Sequence, residues 1–583
     1  MTAVPSATFL TSLPGWAAML ARTVAAKQAN TFVIHGLPAD LIPVRQERGL
    51  TFHLLDNFLA EVLFASWPSR ITYNRAEGLG FATPQAKQHF VDRLKAYDAV
   101  HGTSWGEALP RDAGNAFALL DSYFRHCATL QPARPVVLIL PFAETLVPSG
   151  EASYRTPEDR AVLVYLRKWA QDPVLLAKNI VVVMVTESLA ELDPKLVRAS
   201  ATREVEILRP DAAERLEYLA AVRPPDWFER LSEVSPQRLA ELTAGMTRAQ
   251  LAQLLDGAEA AGAKLTLDGV RAAKKEVIET EGMGLLEYVE PKYDLDMVAG
   301  MPAVKGRLRR AARAIARGNP SAVPMGYLIC GPVGSAKTFL VECFSREIGF
   351  PCVKLKNFRS MWVGSTEGNL ERILKILASL TPVGVVIDEA DAALGNREQS
   401  GDSGTQQRVF AQIANFMADT RHRGKVLWFL ITARPDLLPI DLKRQGRAEE
   451  HIPLFYPESV AEYDEIFQVM KRKLALNSKV ASLADVASET ALKGFSGSDL
   501  EAVLVRSILE AEAADSSEVT VEHLRRAFAD FIPTTNNLER ELQILAAILE
   551  CTSRELLPER FRDIDRGAVQ LRLSEIKLEL KSI

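Results

Sequence analysis

The segment Gly331–Thr338, GPVGSAKT, lies between an apolar run, MGYLIC, and a run of helical character, FLVECFSREI. Strand, glycine-bearing loop and helix in that order suit an anion-binding loop. Gly331 and Gly334 allow a tight turn in which Pro332, Val333, Ser335 and Ala336 supply the intervening backbone. Successive N–H groups and a helix N-terminus running into Phe339 then face a phosphate. Lys337 would reach the β and γ oxygens of a nucleotide, and Thr338 would offer its hydroxyl to Mg²⁺. Ala336 stands where the strict G-x-x-x-x-G-K-[ST] pattern has glycine, and a methyl group there is expected to need only helical backbone angles. Downstream, VGVVIDEAD (Val383–Asp391) is an apolar strand that stops on paired acids. Asp388 is expected to hold Mg²⁺ through water, and Glu389 to polarise an attacking water as general base. Either acid alone could simply solvate a strand end.

These residues need a scaffold, and the chain offers one twice. In the first half, strands are expected at Thr31–Gly36, Arg70–Tyr73, Val136–Leu140, Ile180–Thr186 and Glu204–Leu208, with helical stretches near Leu50–Ser66, Pro84–Ala99 and Pro157–Ala170. In the second half they are expected at Gly326–Cys330, Cys352–Leu355, Val383–Ile387, Val426–Thr432 and His451–Leu454. Apolar strands alternating with amphipathic helices imply an α/β fold, a parallel sheet with helices on both faces. Helical periodicity alone follows each set, from about Asp211 and again from Glu458. TESLAELDPKLVR (Thr186–Arg198) laid on TARPDLLPIDLKR (Thr432–Arg444) matches at Thr, Leu, Leu and Arg, each time after a buried strand, which points to duplication.

Composition narrows the classes further. With 583 residues, 48% hydrophobic and 25% charged, several globular domains are expected, and a fibrous or wholly disordered chain is excluded. The net charge of −5 gives no bulk reason to bind nucleic acid or an anionic membrane. The longest apolar runs are far shorter than the ~20 residues that span a bilayer, and no basic residue precedes the first apolar positions. Five scattered cysteines without a CxxC pair disfavour a disulfide framework or a zinc site, so a cytoplasmic location is expected.

The strand ending in Thr432-Ala433-Arg434-Pro435-Asp436, followed by LLPIDLKRQGRAEEHI with Arg444 and Arg447, completes a further pattern. With it the chain resembles the AAA ATPases of the subfamily whose second region of homology runs strand, TNRPD, helix, RPGRFD. The resemblance implies ATP and Mg²⁺ as cofactors, a P-loop NTPase fold with a small α-helical lid, and a homo-oligomeric ring, hexameric by expectation. It also implies that Arg444 and Arg447 act as arginine fingers on a neighbouring subunit's nucleotide. The family's sensor asparagine aligns with Ala433, which passes that role to Thr432. Trp362-Val363-Gly364 is similar to the first pore loop, where a ring grips a translocating polypeptide, a core tryptophan being the alternative; Gly395–Gly404 takes the second pore loop's place. Ala299 and Gly300 resemble the adenine-contacting segment. GFSGSDLEAV (Gly494–Val503) resembles the lid motif in which Gly497 and Ser498 back adenine and ribose; Asp499 suits helix capping equally well. The helix bearing Arg307, Arg309, Arg310, Arg313 and Arg317 is read as a solvated or intersubunit face rather than a nucleic-acid surface.

The first half looks like a second AAA-type domain without its chemistry. It has no phosphate-loop lysine, and in VVLILPFAET (Val136–Thr145) Pro141-Phe142 replaces the two acids, leaving Glu144 nearby. This pairing, with DSGTQQRVFAQI (Asp402–Ile413), is similar to a group of AAA proteins of cyanobacteria, algal plastids and other bacteria. The expected organisation is a degenerate AAA-like α/β domain with a helical follow-on (1–285), the nucleotide-binding α/β domain (286–457), the lid (458–535) and a C-terminal extension (536–583). Within the extension, LRLSEIKLEL (Leu571–Leu580) fits strand or helix. The implied activity is ATP hydrolysis that remodels or unfolds a protein client. The alternative is an ATP-dependent assembly scaffold with weak hydrolysis. Nucleic acid and a membrane span are not expected.

Overall fold

The computed structural model describes residues 6–47, 49–150, 155–356, 366–394, 403–488, 492–533 and 537–582. The chain divides into two compact units, Met1–Lys274 and Lys275–Ile583. In the first, the strands are β1 (Thr31–Gly36), β2 (Ile42–Gln46), β3 (Gly49–His53), β4 (Ser69–Asn74), β5 (Gly78–Phe81), β6 (Val136–Leu140), β7 (Ile180–Val185) and β8 (Thr202–Ile207). Six of them form a sheet in the order β5-β4-β6-β7-β1-β8, and β2 and β3 form a separate hairpin. The sheet is parallel except where β5 meets β4.

Its central strands are apolar because both faces are covered. Val136, Leu138 and Leu140 pack with Phe117, Leu120 and Trp169, whereas Val137 and Ile139 pack with Phe32, Ile34 and Phe58. Each such side chain contributes about 1.5–3 kcal/mol when fully buried, so a polar residue in either series would be strongly disfavoured.

The second unit holds β9 (Leu286–Val289), β10 (Gly326–Cys330), β11 (Cys352–Leu355), β12 (Val383–Ile387), β13 (Val426–Thr432) and β14 (Glu450–Pro453), in the order β14-β10-β13-β12-β11-β9. Only β9 is antiparallel. Numbered among the parallel strands alone, both sheets read fifth, first, fourth, third, second, with an antiparallel strand beside the second. The duplicated segment has a packing basis too: Leu192 and Leu196 are buried after β7, as Leu438 and Leu442 are after β13.

Three local expectations change. The helix expected from Leu50 begins as a strand, because Gly49–His53 pairs with Ile42–Gln46; helical turns start only at Leu55. The edge strands β5 and β9 and the helix Ala113–Thr129 were not anticipated, the strands being too short and only half-buried to stand out in sequence. Leu571–Leu580 lies within the helix Arg566–Ser582. Its buried positions, Val569, Leu573 and Ile576, follow helical spacing, and Leu573 and Ile576 pack on Leu542 and Ala546 of helix Asn537–Glu550.

Helices Val460–Lys473, Gly497–Ala513 and Val521–Asp530 enclose Phe467, Leu492, Leu500 and Leu504 in a core of their own. The five cysteines are buried free thiols, and among the described residues no helix is long and apolar enough to cross a membrane.

Candidate functional site

The loop after β10 is forced by close approach. Gly331 has φ +142°, and a Cβ there would lie 2.1 Å from the Leu454 carbonyl oxygen beyond β14, so only glycine fits. Gly334 is crowded in the same way, 2.5 Å from the Ser498 hydroxyl and 2.7 Å from that of Ser496. Ala336 overturns the helical expectation. It sits in the left-handed region at φ +61°, ψ 28°, immediately before helix Lys337–Ile348. That conformation costs a residue with a Cβ roughly 1–2 kcal/mol, against about 0.5–1 kcal/mol of extra chain entropy for glycine. Ala336→Gly is therefore expected to stabilise the nucleotide-free chain by about 0.5–1 kcal/mol, read as a higher unfolding midpoint; a lower midpoint would contradict the strained backbone.

The Lys337 ammonium folds back on the loop, donating to the carbonyl oxygens of Gly331 at 2.9 Å and Pro332 at 2.8 Å. Burial pushes its pKa down to about 8, with Cys330, Asp388 and Asp391 opposing. Phosphate oxygens would favour the charged form. Binding of a phosphorylated ligand should then take up a proton above pH 8, so affinity is expected to be flat below about pH 7 and to weaken by up to tenfold per unit above pH 8. Calorimetric titrations with ADP between pH 7 and 9.5 measure this slope, and a flat profile would contradict it.

Asp388 and Glu389 follow β12 directly. One Asp388 oxygen, Oδ2, accepts from the Thr338 hydroxyl at 3.2 Å and from Lys354 Nζ at 2.9 Å, while Oδ1 accepts from the Glu389 N–H at 3.0 Å. Two hard oxygen donors converging beside a phosphate loop fit a partly hydrated Mg²⁺. Glu389 has φ +50° and is exposed, so its carboxylate projects from a strained turn rather than along the strand. Lys354 was missed in the sequence, although a lysine in the short run Cys352–Leu355 was the available signal.

A cavity of about 980 Å³ opens between these elements, lined by the Met297–Val304 segment, Gly334–Ala336, Phe339, Gly497 and Ser498. The Gly300 N–H donates to Glu465 of the lid at 2.8 Å. Ser496 caps helix Gly497–Ala513 in a reciprocal box with Asp499, so Asp499 does cap.

The first unit retains two backbone features of this site and loses its groups. Gly36, at φ +100° as the last residue of β1, would place a Cβ 2.5 Å from the Ile207 carbonyl oxygen, the same crowding as at Gly331. Its loop runs into β2 rather than a helix, so no helix N-terminus faces an anion. Phe142 takes Glu389's place after the third parallel strand with the same left-handed backbone, φ +55°. Asp40 near the end of the loop accepts from the Ala249 N–H at 3.0 Å and pairs with Arg248 at 3.4 Å, and Arg248 and Ala249 open a helix capped by Thr247. Thr247-Arg248-Ala249 thus opens this helix as Ser496-Gly497-Ser498 opens its counterpart in the second unit, and a carboxylate and a guanidinium of the chain itself meet beside the loop.

Comparison with known proteins agrees with both halves. The family described as "AAA+ chaperone, N-terminal Rossmann-like domain" matches residues 5–208, "AAA+ chaperone, second helical domain" matches 213–283, and "ATPase family associated with various cellular activities (AAA)" matches 327–456. The chain belongs to the AAA+ family. Among its AAA+ relatives, a Cell division cycle protein 48 homolog of Archaeoglobus fulgidus is 26% identical over 446 residues, 69% of this chain and 60% of that protein. An uncharacterized AAA domain-containing protein ycf46 of Trieres chinensis is 28% identical over 276 residues, covering 45% of this chain and 52% of that protein. An ATP-dependent zinc metalloprotease FtsH of Pelobacter propionicus is 30% identical over 209 residues, 35% of this chain and 33% of that protein. The chain spans less than two thirds of the length of each of these curated relatives.

The remaining AAA+ positions divide. Arg444 is exposed, its side chain 61% accessible. Arg447 is 6% accessible and donates through Nη1 to the Asp441 carbonyl oxygen at 2.5 Å, a contact within its own loop. Thr432 is buried and donates its hydroxyl to Asp391 at 2.6 Å instead of presenting it to the crevice. Trp362-Val363-Gly364 and Gly395–Asp402 lie outside the described residues. In the arginine-rich helix Pro302–Ala316, Arg307 pairs with Glu450, Arg309 with Asp296 and Glu347, and Arg310 with Glu555, while Arg310 and Arg313 are both exposed.

Proposed function

We propose that this chain is a Mg²⁺-dependent ATPase that works as a homo-oligomeric ring, taken as hexameric and cytoplasmic, and couples hydrolysis to remodelling of a protein client. The observation that carries the reading is the convergence of Lys337, Thr338, Asp388 and Glu389 at the ends of two adjoining helix and strand elements, beside a cavity large enough for a nucleoside. ATP phosphates would take the N–H groups of Gly331–Lys337, and Lys337 would exchange two neutral carbonyls for charged oxygens, a stronger class of hydrogen bond. Thr338 and Asp388 would hold Mg²⁺, which supplies charge neutralisation at the β and γ oxygens. Glu389 would orient and deprotonate water for in-line attack. Ala299, Gly300, Gly497 and Ser498 would enclose the base and ribose, and Trp362-Val363-Gly364 would grip the client. Arg444 of one subunit would complete the neighbouring site.

One observation favours the scaffold reading: Ala433 cannot serve as a sensor, and the Thr432 hydroxyl is committed to Asp391. Phosphate release measured against protein concentration separates the two. A specific activity that rises with assembly is expected for the ring ATPase; negligible release at every concentration would leave the scaffold.

A further inference from the structure

The segment beyond the lid was the least legible part of the sequence, yet it reaches the phosphate loop. Gln543 on helix Asn537–Glu550 is 6% exposed, and its Oε1 accepts from the Val333 N–H at 3.0 Å. The Val333 carbonyl oxygen in turn accepts from the Tyr456 hydroxyl at 2.6 Å. Both backbone groups at the tip of the loop are therefore held by side chains from outside it, although the Val333 side chain is 65% exposed.

One turn earlier on the same helix, the Arg540 guanidinium lies 4.6 Å from the centre of the Tyr456 ring and donates to the carbonyl oxygen of Gly494, which begins the lid motif. The chain that follows this helix lines the nucleotide cavity through Leu556, Leu557 and Pro558. A glycine-bearing loop without bound anion has many curls available, and fixing each residue costs roughly 1–2 kcal/mol of backbone entropy. A buried acceptor that holds the tip in place reduces what the ligand must order on arrival.

We propose that helix Asn537–Glu550 is a working part of the nucleotide site. Gln543 is a positioning residue that keeps the phosphate loop in its anion-binding curl, and Arg540 ties the lid to the same helix so that lid closure over base and ribose depends on it. The proposal rests on the ATP-binding reading above.

The two roles separate by ligand. Pyrophosphate engages the phosphate loop alone, whereas ADP also needs the lid. Displacement of a fluorescent ATP analogue from the full chain by each ligand is the measurement. Gln543→Met keeps the volume and removes the acceptor, and it is expected to weaken ADP and pyrophosphate alike by about tenfold, with Gln543→Glu, which retains an acceptor oxygen, closer to the parent for chain folding. Arg540→Ala is expected to weaken ADP about tenfold and pyrophosphate less than twofold. Unchanged ADP affinity in folded Gln543→Met, or equal losses of both ligands in Arg540→Ala, overturns the proposal. If Gln543→Met does not fold, the Arg540→Ala pair of measurements decides alone. Failure of the parent chain to bind the analogue at all would instead remove the ATP-binding reading, and this proposal with it.

Discussion

Glu389→Gln is expected to bind ATP as the parent does and to hydrolyse it about 10²–10⁴ times more slowly, the usual worth of a positioned general base. The substitution keeps size and removes only the basic oxygen. The Asp388 oxygen that accepts from the backbone N–H at position 389 is untouched, and so is the Thr338 contact, so the metal side of the site survives. The turn itself does not need the acid: Phe142 holds the same left-handed backbone in the first unit with no carboxylate at all. Retention of labelled ATP on the variant together with lost phosphate release is the expected pair. Parent-like release would show that water is activated elsewhere. The stalled form would also retain the client, whose capture is the most direct route to the substrate.

Arg444→Ala is expected to lower turnover by about 10³-fold or more, the scale on which arginine fingers act, with little change in thermal midpoint because the side chain is exposed. A finger works on the next subunit's nucleotide, so the defect should be repairable by mixing. Arg444→Ala keeps an intact nucleotide site and Lys337→Ala keeps an intact finger; each should be inactive alone and partly active together. Arg447→Ala is expected to behave differently, losing stability as well as activity, since it empties a buried contact with the Asp441 carbonyl. No recovery on mixing would place the arginine's effect within its own subunit.

Much of this was visible in the sequence for definite reasons. β6, β7, β10, β12 and β13 are continuous apolar runs because both faces of each sheet are covered, and such runs have sharp ends. The phosphate loop was legible because its glycines answer a steric demand that no other residue meets. What escaped was decided by partners distant in the chain. Nothing about Gln543 marks it as a neighbour of Val333, 210 positions away, and the resemblance to the AAA ATPases makes Arg447 a finger while its burial depends on how Asp441 is turned. Ala336 and Glu389 could be assigned chemistry from their types, but not their left-handed backbone, which follows from the meeting of a strand end with a crowded loop. The hairpin after β1 was hidden because Ile42–Gln46 and Gly49–His53 are half-exposed strands, too short for alternation to separate them from a helix start.

The Asp40–Arg248 pair has a thermodynamic meaning. A crevice closed by ATP is stabilised in proportion to the logarithm of free ligand over its dissociation constant, so its population of closed forms follows the nucleotide supply. A contact between an aspartate and an arginine of the same chain contains no ligand concentration at all. Within the Met1–Lys274 unit, the start of helix Arg248–Ala261 is therefore held to the loop after β1 by groups whose local concentration is set by the chain itself.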